Sequence, residues 1–550
     1  MIFKRFWLSI IVILTVISCQ KETTLVKASL NYIQSEKAKL APVTLTHDIS
    51  YLSNQEIQVI KLLVKASEHI DKMFLIQVYK NNLDILNSLQ NSESSHCDEY
   101  LDLFKIMFGP WNRIDEDRPF IGKIKKPPGA NYYPMEMKKK DFLNWLQNNP
   151  EDQESFENNF TMIRREDNRL VAIPYSIFFK DEIQSVVSLL RQASELTADP
   201  SLSTYLKSRA DGLLTDDYYQ SDMDWMDLSG DIEVVIGPYE VYEDKLFGYK
   251  AAFESFICVV DHEESKKLDQ IANYLTRLEE ALPIDQTYDR GASSPIKVVN
   301  LLYSAGDTKA GIQTSAFNLP NDERVRNQKG SKKVMLKNVM KAKFNQCWIP
   351  IVNQALSPKA LNHVAFDAYF THVVMHEVSH GLGPGNIKLN GRQTTVNKEL
   401  KELYSTIEEA KADVLGVYNS QKLIDWHVFP KELEETLYAS NLGGMFRSIR
   451  FGIDSAHGGG VTIQLNYYMD AGACTVDQKG LFDVNIPKMK TAVKNLAHDL
   501  LIIEANGDYE AAKAMIDQYR TIRPETQAVI DRLKDVPIDI CPIYPIENEI

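Results

Sequence analysis

Cysteine is scarce, with 6 in 550 residues. No pair is spaced CxxC, which excludes a thiolate metal site of the zinc-finger kind. Cys97, Cys258, Cys347, Cys474 and Cys541 lie far apart and odd in number, and their spacing requires no disulfide. Cys258, within FESFICVV, reads as a buried strand residue. Basic excess is also lacking. Lys and Arg total 61 against 75 Asp and Glu, a formal net charge of −14. Nucleic acid selects basic surfaces, so it is excluded as a partner. There is no internal repeat and no low-complexity tract. The absence of a GxSxG elbow removes the hydrolases that present a serine on that turn.

The chain does have a hydrophobic content of 44% and a charged content of 25%, as soluble globular proteins do. At this length two or three units, or a two-lobed body, are expected. The first residues stand apart. MIFKRFWLSIIVILTVISC has a basic start at Lys4 and Arg5, then an apolar run from Phe6 to Ile17 that is too short to span a bilayer comfortably. VISC resembles the bacterial lipobox. The resemblance implies a signal peptide over 1–18, diacylation of Cys19 and a tether over 19–30. It also implies an exported chain anchored by lipid to a bacterial membrane, and Gln20 points to the outer one. A plain signal peptide or short anchor is the alternative.

From Asn54 to about Gln90, apolar residues recur at steps of three and four, which predicts helix, and 180–215 reads likewise. The texture changes near Ser229. DIEVVIGPYEVYEDKLFGYKAAFESFICVVD is β-branched and aromatic, with turn signals at Gly237-Pro238 and near Phe247-Gly248. A short helix is expected at 263–281, opened by DHEE, and strands at IKVVNLLYSAGD and KKVMLKNV. After about Cys347 the pattern is helical almost to the end. The fold class is α+β, with an antiparallel β core in one lobe and a mainly helical second lobe.

Chemistry concentrates in MHEVSHGLGPGN, at Met375–Asn386. His376 and His380 lie four apart on one predicted helix face, where two neutral imidazoles can share a cation. Glu377, beside the first, can reach a water on that cation. A metzincin would continue with a histidine where Asn386 stands, and an amide is a poor zinc ligand. Downstream, LKELYSTIEEAKADVLGVY carries a single apolar stripe. Glu409 can complete a His, His, Glu set for one Zn²⁺ per chain, leaving a fourth position to water. Asp413, one turn on, can accept the free N–H of a ligand histidine, and Glu408 is a second candidate for that role.

EEAKAD, together with HEVSH, resembles the dipeptidyl peptidase III family in the short-motif form of its bacterial and plant branch. That branch can carry a Nudix module, but no Nudix box occurs here. The likeness spans about residues 225–475. FNLPN resembles the family's Asn-x-Pro-Asn element, giving Asn318 and Asn321 as substrate-binding residues. The strand segment gives Glu233 at an acidic substrate-binding position, and SAHGGGVTIQLNYYMDAGA gives His457 as a catalytic histidine. AHGGG also resembles a lipase oxyanion loop, a reading that lacks its nucleophile elbow. Val235 stands where the family has a catalytic tyrosine, and Val461 where it has a basic residue. Tyr239 and Tyr242 are candidates to replace the phenol.

The resemblance implies two lobes with a wide cleft and zinc on the helical lobe. It implies an oligopeptide substrate that loses dipeptides from its N-terminus. On this reading the mixed lobe takes 31–260 and 303–347, with an antiparallel, barrel-like core. The helical lobe takes 348–550 and 261–302. The alternatives are a zinc hydrolase of another amide or ester, and a lipid-anchored protein that binds peptides without turnover.

Overall fold

A computed structural model describes residues 27–167, 169–285 and 295–549. Cys19 and the leader before it lie outside the described residues. Among them no helix is long and apolar enough to cross a membrane. Two apolar cores organise the chain as two lobes.

The first core is built on five strands: β1 (Ile232–Glu240), β2 (Ala252–Val260), β3 (Ile296–Gly306), β4 (Ala316–Leu319) and β5 (Lys332–Leu336). Their order across the sheet is β1-β2-β3-β5-β4, and the sheet curls into a half-barrel. The expected antiparallel pairing holds for β1–β2, β2–β3 and β5–β4. It fails between β3 and β5, which run parallel with Lys333 opposite Ile296. A parallel pair needs a crossover, and residues 307–331 supply it, carrying β4 and a short helix on the way. The strand expected over KKVMLKNV stops at Leu336 and turns directly into helix. Cys258 is fully buried in β2, and none of the five described cysteines is bonded to another.

One face of this sheet is covered by α1 (Asn54–Val78), which opens on a capping box between Ser53 and Glu56. Its apolar stripe includes Val59, Leu63, Ile70 and Phe74, all at 0% exposure. Ser67 Oγ meets Ser255 Oγ on β2 at 2.8 Å. The helical pattern read through to Gln90 is interrupted at Tyr79, which is extended. There the Asn82 amide donates to the carbonyls of Leu75, at 2.9 Å, and Phe108, at 3.1 Å. The Leu75 carbonyl also accepts from the Tyr79 N–H at 3.2 Å, and the Asn82 amide ties this helix end to the Phe108 carbonyl. The 180–215 stretch likewise divides at Pro200, which starts a new helix capped by Asp199.

The second core is helical, and three of its helices pack in succession: α2 (Phe366–Ser379), α3 (Tyr404–Asp425) and α4 (Ala456–Asp470). Glycines set their separation. A Cβ on Gly416 of α3 would lie 3.0 Å from the backbone nitrogen of His376. One on Gly460 of α4 would lie 2.9 Å from the backbone nitrogen of Ala410. The chain end crosses back: Asp539–Ile543 pairs in parallel with Leu40–Thr44, and Ile540, Tyr544 and Ile546 join the first core. The division expected from the sequence gives this tail to the helical lobe.

Because α4 touches α3 backbone to backbone at Gly460, a side chain there has no flexible neighbour to displace. Gly460→Val is expected to lower stability by ~1–3 kcal/mol through overpacking. Scanning calorimetry checks it, and an unchanged melting temperature would contradict the close approach.

Candidate metal centre

His376 lies in the last turn of α2, and His380 is its C-cap residue. One helical turn separates them, so their rings lie on the same side. Their Nε2 atoms approach to 3.1 Å. Glu409 of α3 brings Oε2 to 3.4 Å from Nε2 of His376 and 3.9 Å from Nε2 of His380. Ligand atoms about 2.0–2.2 Å from a tetrahedral ion stand roughly 3.3–3.6 Å apart, so the three atoms have the spacing that one ion requires. Glu409 Oε2 is buried and accepts no well-directed hydrogen bond. His457 Nδ1 lies 2.7 Å away, an ion-pair contact without hydrogen-bond alignment. A metal ion would satisfy that orphaned oxygen, and His376, His380 and Glu409 are the group among the described residues that could hold one.

Each imidazole is oriented from behind. His376 Nδ1 donates to Asp413 Oδ1 at 2.7 Å, and His380 Nδ1 donates to Glu408 Oε1 at 2.8 Å. A carboxylate accepts from each Nδ1, so Nε2 of each ring is the nitrogen turned to the site and the one that a metal would take. Both roles expected for Asp413 and Glu408 are thus occupied, one on each histidine. Gln464 of α4 donates to the second oxygen of Asp413 at 3.2 Å.

Lys411 is a functional residue that sequence reasoning missed. It is completely buried, pairs with Glu408 at 2.8 Å and donates to the carbonyls of Ser379 and Leu382. It therefore caps the negative end of α2 next to His380 while pairing with Glu408. Its place in EEAKAD, three residues after Glu408, is the signal that could have revealed it.

The electrostatics of the group follow from its paired charges. Burial alone would lower His376, but Asp413 and Glu409 outweigh it and raise the imidazole to about 10. Burial would raise Glu409, yet His376 and His457 pull it down to about 2. Asp413 is likewise held far below the carboxylate range despite its burial, chiefly by His376. For Glu377 burial works upward, and Lys333 with His376 more than reverses it, so the carboxylate stays ionised. Lys333, from β5 in the other lobe, donates to Glu377 Oε2 at 2.7 Å and to its backbone oxygen at 3.3 Å. Sequence reasoning missed this contact because strand and helix lie 44 residues apart.

His457, at the first turn of α4, is 67% exposed and is raised by its contact with Glu409. Asn318 and Asn321 are exposed around the β4 end, and Asn321 Nδ2 donates to Tyr239 O at 3.2 Å. The resemblance gives Glu233 a substrate-binding role. It is 1% exposed and lies between Lys297, at 2.7 Å, and Lys332, at 3.1 Å. Two cations already neutralise it, and no open surface leads to it. Val235 and Val461 pack in the first and second cores. Tyr239 lies against the guanidinium of Arg209, 5.3 Å from the ring centroid, and Tyr242 is 76% exposed.

Metal uptake should expel a proton. At pH 7 the metal-free His376 is charged, so a metal must displace that proton to use Nε2, and affinity should fall about tenfold per pH unit of acidification. Calorimetric titration in buffers of different ionisation enthalpy measures the release. Glu409→Ala should lose the metal, and retention of full stoichiometry would remove Glu409 from the ligand set.

Comparison with known proteins agrees with this geometry. The sequence model of peptidase family M49 matches residues 149–425. A protein of Arabidopsis thaliana named Nudix hydrolase 3 is 35% identical, over 96% of this chain and 75% of its own length. The dipeptidyl peptidase 3 of Dictyostelium discoideum is 23% identical, over 68% of this chain and 61% of its own. The solved DPP III of Caldithrix abyssi superposes with a TM-score of 0.90 at 48% identity, covering 94% of this chain and 99% of that one. The dipeptidyl-peptidase III of Corallococcus sp. strain EGB gives 0.77 at 41%, covering 95% and 99%. The likeness thus runs through both lobes and includes the segment that carries His376, His380 and Glu409, and on these grounds the chain belongs to peptidase family M49.

Proposed function

We propose that the protein is a zinc exopeptidase that releases dipeptides from the N-terminus of oligopeptides. The observation that carries this reading is the convergence of His376 Nε2, His380 Nε2 and Glu409 Oε2 beside the ionised Glu377. Two imidazoles and one carboxylate at tetrahedral spacing suit zinc and leave one position for water. When bound, zinc supplies a Lewis acid and lowers the pKa of water to ~7. The names of the M49 relatives support peptide substrates and dipeptide release.

This chain's own residues would do the rest. Glu377 takes a proton from water as the new C–O bond forms and the carbonyl electron pair moves onto oxygen. It then delivers the proton to the leaving nitrogen as the C–N bond breaks. His457, exposed beside Glu409, would donate to the developing oxyanion.

The peptide is proposed to lie along β4. That strand is the edge of the sheet, and no described strand pairs with its outer side. A free edge accepts an extended peptide through backbone hydrogen bonds. Asn318 sits opposite Lys333 in the strand register, and Lys333 reaches Glu377, so a peptide on this edge would run past the general base. Asn318 and Asn321 would hold its first residues. Since Glu233 is sealed between lysines, the ammonium is assigned to Glu240. That half-buried carboxyl is raised by burial, and its hydrogen bond from Asn321 only partly offsets the rise. A cation would complete it. A fixed distance from this anchor to the metal would count two residues. Zinc on one lobe and the anchor on the other are the two ends of that ruler. Lipid anchoring at Cys19 and an exported location remain part of the proposal, supported by the VISC sequence alone.

One hexapeptide, free and N-acetylated, tests the reading by mass spectrometry. Dipeptides should appear from the free form, and the acetylated form should be slower by ~10²-fold or more, since it leaves a desolvated carboxylate unpaired. Internal cuts, single-residue release or equal rates would refute dipeptide release. Glu377→Gln should keep its zinc and lose ~10²- to 10⁴-fold in turnover. Activity within a few-fold of wild type would assign the base elsewhere.

A further inference from the structure

We propose that Lys333 is a catalytic residue of this site: its ammonium pairs with Glu377 at rest and stabilises the oxyanion while Glu377 holds the proton. The inference rests on the peptidase reading of the metal centre. Lys333 extends from β5 in the first lobe, and its Nζ touches two oxygens of one residue of the second, Glu377 Oε2 at 2.7 Å and Glu377 O at 3.3 Å. Its side chain is 22% exposed and that of Glu377 is 26%, so the pair is accessible to substrate yet largely out of bulk water. No other ion pair to Glu377 occurs among the described residues.

A salt bridge to a general base is awkward if it is only structural. A cation that favours the carboxylate also makes it a weaker base, and a partly exposed ion pair adds little stability in return. The arrangement makes sense once the charge is followed through the reaction. At rest the negative charge is on Glu377 and faces Lys333. As water adds, its proton goes to Glu377, the C–O bond forms and the carbonyl π pair moves onto oxygen. The total charge is unchanged, but the negative charge now lies on the substrate oxygen. Lys333 has lost its partner just as a new anion appears one hydrogen-bonded group away. When the intermediate collapses, the C=O bond re-forms, the C–N bond breaks and Glu377 gives the proton to nitrogen. Glu377 then pairs with Lys333 again. Lys333 keeps its own proton throughout. Such a cation, fixed before the reaction and served by charge that moves rather than by an ion that moves, is the arrangement that favours a transition state over a ground state.

The placement has a second consequence. Lys333 lies opposite Asn318 in the β5–β4 register, so a peptide added beyond β4 is bound to the same small sheet that carries the cation. Substrate and Lys333 would therefore be held by the same sheet.

The test compares wild type, Lys333→Met, Lys333→Gln and Lys333→Arg as full chains loaded with zinc. Zinc content and melting temperature should match in all four. Met and Gln should lower kcat by ~10²- to 10³-fold, the range for loss of one oxyanion donor. KM should stay within about threefold, and Arg should recover much of the loss. Calorimetry gives a readout apart from turnover. A phosphinic peptide, which carries a tetrahedral anion, should bind the Met and Gln variants ~10²-fold more weakly. An uncleavable peptide with a β-amino acid at the scissile bond should bind all four alike. A kcat within about threefold of wild type, a faster variant, or equal weakening of both ligands would overturn the proposal. If wild type cleaves no peptide at all, the peptidase reading fails first. If wild type is active and Lys333→Met is equally active, only the role of Lys333 fails.

Discussion

The hydrogen bond from His376 to Asp413 is the contact on which the rest of this site depends. It joins α2 to α3 at the depth of the ligands, and it fixes which nitrogen of His376 faces inward. Without it the imidazole could flip or tautomerise, and the pair of Nε2 atoms would have no reason to converge. The surroundings are arranged to keep it. Gln464 holds the far oxygen of Asp413, and the absence of a side chain at Gly416 lets the α3 backbone lie against the His376 backbone. Glu408 repeats the device on His380, with buried Lys411 behind it. Two carboxylates and a lysine removed from water are expensive groups, retained only where each is fully paired. Here each pairs with another member of the same network, so the cost of burial is shared by a single rigid unit. Within the His376, His380 and Glu409 group, Glu409 Oε2 is left without a directed hydrogen bond, and a cation would satisfy it.

The two lobes contribute unlike things. The helical lobe supplies the rigid ligand set, and the sheet supplies an open edge and a lysine. Lys333–Glu377 is the direct ionic contact between the sheet and the zinc-motif helix. It is weaker than the packing within either core, because it is partly solvated. Val298 and Met335 of the sheet also pack into the second core, so apolar contact joins the lobes beside this ion pair.

The His376, His380 and Glu409 group that could hold a metal was legible in the sequence because each half of it is local. His376 and His380 share a helix face by spacing alone, as do Glu409 and Asp413, and a helix carries that spacing faithfully. The helices themselves were legible from period, and their interruptions at Tyr79 and Pro200 were decided by capping chemistry that period does not encode. What the sequence concealed were pairings across long separations. Lys297 and Lys332 reach Glu233 from two other strands of the sheet, so a residue assigned to substrate is sealed instead. The parallel match of β3 with β5, the return of Asp539–Ile543 to Leu40–Thr44 and the reach of Lys333 to Glu377 are of the same kind. None follows from a local pattern, since a strand's neighbours depend on where the intervening chain goes.

Glu233 also shows how a charge changes meaning with depth. At a surface an acidic strand residue is free to meet an ammonium. At 1% exposure it must be neutralised permanently, and two lysines do so. The two lysines exceed its charge, and the surplus must be tolerated by burial: Lys332 is lowered to about 8, first by desolvation, with Lys297 adding to the effect. This cluster braces β1, β3 and β5 against one another, through a residue from each strand. Lys333, the next residue along β5, points to the opposite face because side chains alternate along a strand. One lysine therefore locks the sheet internally while its neighbour is delivered to the metal lobe. The register that buries Lys332 is the same register that presents Lys333. A one-residue slip of β5 in one direction would bring Val334 to Glu377 and remove its cation; in the other it would bring Ser331 to the buried place and leave Glu233 with Lys297 alone.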